Sequence, residues 1–131
     1  MLKVLQVGRP AKKIQLCSPQ AVFNLMKPLQ FADREQMFVL HLDTGKYLIG
    51  KELIAVGKLD SAIIHPREVF KAAVVNNSHS IICVHNHPTG DPTPSENDRD
   101  ITTRLRAVGE LLGIPLVDHI IIGAGKYISI F

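Results

Sequence analysis

The chain has no tryptophan, and aromatic residues fill only 5% of its 131 positions. Its core must therefore be aliphatic, built from Ile, Leu and Val. Charge of either sign is nearly balanced: 15 Lys and Arg against 12 Asp and Glu leave +3 with His neutral, and the pI is near 9.0. The basic residues are scattered rather than blocked, which permits contact with nucleic acid without arguing for it. Arg9, Lys12 and Lys13 form the one loose basic cluster, in an N-terminal stretch that reads as a solvated tail. Cysteine is limited to Cys17 and Cys83 with no Cys-x-x-Cys, so no disulfide framework is implied and a reducing compartment is expected. The start MLKVLQVGRPAKK has no long apolar region or cleavage pattern. No apolar run approaches membrane-spanning length either, so the expectation is a cytoplasmic protein with no membrane partner. Repeats, low-complexity segments and internal linkers are absent as well.

What is present suffices for a packed core. Hydrophobic residues make up 46% and charged ones 21%, which fits one compact domain and argues against disorder. Residues 1–17 read as a loose lead-in or short strand, and 18–131 as the domain. SPQAVFNLMKPL predicts a helix with Ser18 as N-cap and Pro19 at its first position. Val22, Phe23, Met26 and Leu29 form its inner stripe, and Pro28 disturbs its last turn. Met37 to Leu42 and Tyr47 to Val56 read as a hairpin around Asp43-Thr44-Gly45-Lys46. A second helix opens at Pro66, with Val69, Phe70, Ala73 and Val74 inward. SHSIICVH is a continuous apolar strand, expected to be central and covered on both faces. DRDITTRLRAVGELLG is the third helix, its apolar face Ile101, Leu105, Val108 and Leu112, ended by Gly113. IPLVDHIIIG and KYISIF are the last two strands. The order α-β-β-α-β-α-β-β predicts an α/β fold, one mixed sheet with helices on its faces. Its ligand crevice should lie at the C-terminal end of the central strand.

That strand ends in His85-Asn86-His87. Strand alternation points both imidazoles to one side, as preorganised nitrogen donors or as hydrogen-bonded histidines in a polar mouth. Asp98 falls on the inward stripe of the third helix, where a carboxylate needs a partner. A capping box with Ser95 as N-cap also accounts for it. Between them, Pro88 to Pro94 contains three prolines and Gly90, a stiff connection that would hold the helix start against the strand end. His85, His87 and Asp98 together make a three-donor set for Zn2+ with a fourth position left for water, the catalytic rather than the structural pattern. A general base is then needed, and the acidic candidates are Glu35, Glu52 and Glu68, with Asp43 and Asp91 behind them. Among the remaining histidines, His41, His65 and His79 read as structural. Asp118-His119 reads as a pair supporting the ligands from behind.

HNHPTGDPTPSEND resembles the JAMM (MPN+) metalloprotease motif: a distant upstream glutamate, His-x-His, and an Asp eleven positions after the second His with a Ser three before it. HPREVFKAAV before it and LLGIPLVDHIIIG after it are similar to the RadC branch of that superfamily, over residues 18–131. The resemblance implies a deaminase-like three-layer α/β/α JAB/MPN fold and a zinc-dependent hydrolase of peptide or isopeptide bonds. It implies zinc ligation by His85, His87 and Asp98. Glu35 maps onto the family glutamate that carries the proton, with Glu52 the weaker alternative, and Ser95 would hold the water or oxyanion. The helix-hairpin-helix module usual in RadC proteins is not seen in these residues, nor is an insertion that would recognise ubiquitin. The resemblance implies a peptide or protein substrate as the partner; the missing module and insertion leave DNA repair and deubiquitination uninferred. The alternative is a DNA-repair accessory module with little catalysis. It requires a basic face, and Arg99, Arg104 and Arg106 do not share one helical stripe. A zinc nucleoside deaminase is excluded, because His-x-Glu and Pro-Cys-x-x-Cys are missing. The apolar C-terminal edge strand, Lys126 to Phe131, hints at a homo-oligomer.

Overall fold

The computed structural model describes residues 5–6, 13–60 and 62–131. Six strands form one sheet in the order β1-β3-β2-β4-β5-β6. They are β1 (Leu5–Gln6), β2 (Gln36–Leu42), β3 (Leu48–Val56), β4 (Ser80–Asn86), β5 (Leu116–Ile122) and β6 (Tyr127–Ser129). β4 and β5 run parallel and every other pairing is antiparallel, so the sheet is mixed and open. The helices are α1 (Pro19–Met26), α2 (Pro66–Val75) and α3 (Glu96–Leu112). The expected order of elements holds from α1 onward, with β1 ahead of it. Arg9 and Lys12 of the basic cluster lie outside the described residues. Gln15 bridges Tyr47 and Leu16 is buried, so the chain is attached to the sheet just before α1.

Strand alternation sorts the core into two layers. On one face Val22, Phe23, Met26 and Leu29 pack on Leu40, Leu42, Ile82, Val84, Ile120 and Ile122. On the other, Val69, Phe70, Ala73, Ile101 and Leu105 pack on Met37, Val39, Ile81 and Cys83. The result is the expected three-layer α/β/α arrangement. All seven residues of β4 are buried, as its unbroken apolar run requires of a central strand. Cys83 lies within that layer, and burial pushes its thiol up to about 12, leaving it inert.

Local chemistry accounts for several boundaries. Ser18 accepts a hydrogen bond from the Ala21 N–H at 3.2 Å and starts α1. The disturbance at Pro28 takes the form of a 3-10 turn, Lys27–Phe31, which still buries Leu29. Asp43 accepts from the N–H groups of Gly45 and Tyr47, closing the β2–β3 hairpin. Two helical faces differ from expectation. Val74 is 56% exposed and Ala72 is buried instead, because Val74 lies about 140° around the helix from Val69. Leu112 is 47% exposed because α3 ends there, at Gly113 in the left-handed conformation. β6 is three residues long, shorter than expected, and the Arg106 guanidinium sits 4.4 Å from the centre of the Phe131 ring beyond it. None of the described helices is long and apolar enough to cross a membrane.

Candidate metal centre

β4 delivers His85 and His87 to the end of the sheet on the α2/α3 side, with ring centres 5.0 Å apart. α3 starts against them. Ser95 Oγ accepts from the Asp98 N–H at 3.1 Å, and the Ser95 N–H donates to Asp98 Oδ2 at 2.8 Å. The capping box therefore forms, and the same Asp98 also turns inward, 2% exposed. The two readings of Asp98 are compatible. One oxygen edge serves the helix end while the carboxylate faces the histidines: His85 Nε2 lies 3.1 Å from Oδ1 and His87 Nε2 lies 3.1 Å from Oδ2. The two Nε2 atoms are 3.2 Å apart.

Hydrogen bonds behind the imidazoles determine what they present to this centre. Thr102 Oγ1 donates to the Asp98 carbonyl at 2.8 Å, so it must accept from His119 Nδ1 at 2.6 Å. His119 is fully buried, and burial holds its pKa well below the usual imidazole range, so the ring is neutral. With its proton on Nδ1, its Nε2 is an acceptor, and His85 Nδ1 donates to it at 2.8 Å. His85 Nε2 is then a bare lone pair. Likewise His87 Nδ1 donates to the Asp91 carbonyl at 2.9 Å, which in the neutral ring leaves Nε2 bare. These tautomers follow from the bonding network.

Two imidazole nitrogens 3.2 Å apart thus converge on one carboxylate, each 3.1 Å from a different oxygen of it. Such a set repels itself unless a proton or a cation sits among it. In the metal-free protein the hydrogen bond from His87 to Asp98 raises the His87 pKa. Burial pushes the Asp98 carboxyl up, but His85 and His87 beside it outweigh that when they carry positive charge and hold the group well below the usual carboxylate range. The donor set also fits zinc. Ligands about 2.0–2.1 Å from a tetrahedral ion are roughly 3.3 Å from one another, close to the 3.2 Å between the two nitrogens and the 3.1 Å from each to its carboxylate oxygen.

Glu35 precedes β2 and approaches from the other side, with Oε1 4.0 Å from His87 Nε2. Glu35, His85 and His87 alone could also group around an ion, with donor atoms within 4.8 Å of one another. The contacts of the two nitrogens with Asp98 are shorter, and Glu35 stands beside them. Its Oε2 accepts from the Leu59 N–H at 2.9 Å, in the loop after β3. Glu52 is elsewhere, with His41 of β2 3.8 Å away. Ser95 is exposed, and its Oγ is committed only as acceptor to the Asp98 N–H among the described contacts.

The loop 88–94 is pinned from below. The Ala124 N–H donates to the Gly90 carbonyl at 2.9 Å. A Cβ on Gly123 would collide with that carbonyl and come within 2.7 Å of Pro92 Cδ. This close approach fixes Asp91, whose carbonyl orients His87.

Asp118 is not the partner of the His119 imidazole. Its carboxylate accepts from the His119 N–H and the Ser129 hydroxyl, and the ring is answered by Thr102. Strand alternation explains the difference, since neighbouring side chains on β5 point to opposite faces. Sequence reasoning passed over Thr102, Asn86 and Leu59. The available signals were a threonine on the inward side of α3 and an asparagine in an otherwise apolar strand.

An open mixed sheet between helical layers, with this constellation at the end of its central strand, is a JAB-type α/β domain. The chain matches the family model described as "RadC-like JAB domain" over residues 16–131, and it belongs to that family. It is 46% identical over 125 residues to a UPF0758 protein of Methanosarcina acetivorans, covering 95% of the chain and 54% of that protein. A UPF0758 protein of Desulfitobacterium hafniense is 44% identical over 133 residues, covering 96% and 59%. One from Geobacillus thermodenitrificans is 40% identical over 128 residues, covering 98% and 57%. The chain thus spans little more than half the length of these relatives.

Proposed function

We propose that the domain is a zinc-dependent hydrolase that cleaves a peptide or isopeptide bond of a protein substrate. The observation carrying this reading is the convergence of His85 Nε2 and His87 Nε2, 3.2 Å apart, on the Asp98 carboxylate, each nitrogen 3.1 Å from one of its oxygens. Their tautomers are held from behind by His119 and the Asp91 carbonyl.

These three residues would hold the ion. When bound, zinc supplies Lewis acidity, lowering the pKa of water towards about 7 and polarising a carbonyl oxygen. Glu35, tethered through Oε2 and facing the centre through Oε1, takes a proton from the attacking water as its oxygen bonds to the carbonyl carbon. It returns that proton to the nitrogen as the C–N bond breaks, so the products are a carboxylate and an amine. Ser95, with its proton uncommitted, donates to the oxyanion that develops on the carbonyl oxygen.

Hydrolysis of a fluorogenic peptide library by the zinc-loaded protein tests the reading. Turnover that disappears with a chelator, and in Glu35→Gln protein that still binds zinc, is the expected outcome. Turnover unchanged in both cases would overturn it.

A further inference from the structure

The β2–β4 ladder has its last backbone pair at Met37 and His85. Continued by one step, the register would set Gln36 opposite Asn86, and by another Glu35 opposite His87. No backbone pairing takes up those positions. The Asn86 side chain does so instead. Its Oδ1 accepts from the Gln36 N–H at 2.7 Å, and its Nδ2 donates to the Arg34 carbonyl at 3.0 Å. The amide orientation is unambiguous, because an N–H only donates and a carbonyl only accepts. A primary amide carries the same donor and acceptor as a peptide unit, so Asn86 extends the ladder where β4's own backbone leaves off.

The two bonds bracket one residue. Arg34 and Gln36 are the neighbours of Glu35, and Asn86 is the residue between the two histidines of the centre. Asn86 is 1% exposed, so its amide has no water to fall back on and both bonds carry weight. From the other side, the Gly57 N–H donates to the Glu35 carbonyl at 2.7 Å and the Leu59 N–H to its Oε2 at 2.9 Å. Glu35 is therefore held on both sides, with Oε1 left facing His87.

We propose that Asn86 is the positioning residue for Glu35. The residue between the two histidines ties the proton carrier to the same strand that carries the donors, so their separation is set by β4 itself. This rests on the reading of Glu35 as proton carrier. A carboxylate that must meet a water beside the centre has to be held to within about 0.5 Å, and a free loop end ahead of β2 would not hold it. Asparagine is the residue for the task because aspartate lacks the donor for Arg34, and leucine, of the same shape, lacks both arms.

Amide hydrogen exchange on the full chain tests this without a substrate. In Asn86→Leu, the Gln36 amide should exchange at least about tenfold faster than in the parent, having lost its acceptor. The Leu59 amide should quicken by a similar factor, because Glu35 no longer stays in place to accept from it. A merely local role for Asn86 would free Gln36 and leave Leu59 protected, and that result overturns the proposal. Asn86→Asp keeps the acceptor, so Gln36 should stay protected. If β4 amides lose protection in both variants, Asn86 is a folding residue and the proposal fails. Zinc titration against a chromophoric chelator, run alongside, should give parental affinity in both variants. A parent that binds no zinc would sink the hydrolase reading while the exchange result on Asn86 and Glu35 stood on its own.

Discussion

His119 Nε2 lies 2.8 Å from His85 Nδ1, and the proton between them belongs to His85. That single assignment makes His85 a donor toward the centre. It depends in turn on Thr102, which accepts from the far side of His119 and donates to the backbone of Asp98. The chain of bonds thus leaves one donor residue and returns to another.

Thr102→Val keeps the shape of the side chain and removes the acceptor for His119. The His119 ring is then free to place its proton on Nε2, where it opposes the proton of His85. Zinc affinity should fall by about 10–100-fold, as is usual when a support behind a ligand is lost. Competition with a chromophoric chelator measures it. An unchanged affinity would mean that His85 is oriented without this chain of bonds.

Ser95 carries two roles that substitution can separate. Ser95→Ala loses the N-cap of α3 and should cost about 1 kcal/mol of stability, read from urea unfolding. It should also slow hydrolysis about 100-fold or more if the hydroxyl serves the oxyanion. Ser95→Thr keeps both cap and hydroxyl and should recover both quantities. Recovery of stability alone would remove the oxyanion role.

Gly123→Ala tests the loop. The new Cβ meets the Gly90 carbonyl and Pro92, so the backbone must shift, at about 1–3 kcal/mol. The shift moves the Asp91 carbonyl that fixes His87. Thermal unfolding and zinc affinity should therefore both decline. A loss of stability with full affinity would show that His87 is fixed independently of the loop.

A buried imidazole elsewhere on the sheet gives the protein a pH dependence remote from the centre. His41 is buried on β2, with its Nδ1 3.3 Å from the Ser78 hydroxyl and its Nε2 without a hydrogen bond among the described residues. Burial lowers its pKa to about 4 from 6.5. A group depressed in this way stays neutral in the folded chain while the unfolded chain takes up a proton. Stability is therefore full above pH 6.5 and is lost progressively as pH falls towards 4. The loss is on the order of 3 kcal/mol. Glu52, 3.8 Å away, has a raised pKa from burial and from Glu68, partly offset by Lys71. It acts in the opposite sense, losing stability as pH rises through that pKa. Urea unfolding of the parent and of His41→Leu at pH 7 and pH 4.5 isolates the imidazole. The variant should lack most of the acid-side loss, and equal losses in the two proteins would assign it to other groups.

Much of this architecture was legible because burial leaves periodic traces. The unbroken run Ile81-Ile82-Cys83-Val84 marked the central strand, and the steps from Ile101 to Leu105 marked the face of α3 that also carries Asp98. The cap at Ser95 and the stop at Gly113 followed from local hydrogen bonding. Helix ends were less legible: Val74 and Leu112 are apolar, yet they lie off the buried arc or past its end. The support of the centre was hidden for a different reason. Thr102, His119, Asn86 and Leu59 act across elements distant in sequence, and neither spacing nor propensity encodes which side chain meets which. His119 stood out by its neighbour Asp118, but its ring turned to α3.

The most direct test is metal content by mass spectrometry on untagged protein, beside His87→Ala and Asp98→Ala. The convergence of His85, His87 and Asp98 predicts about one zinc per chain in the parent and its loss from both variants. A parent that takes up no zinc at neutral pH, or an Asp98→Ala protein that retains it fully, would contradict the account.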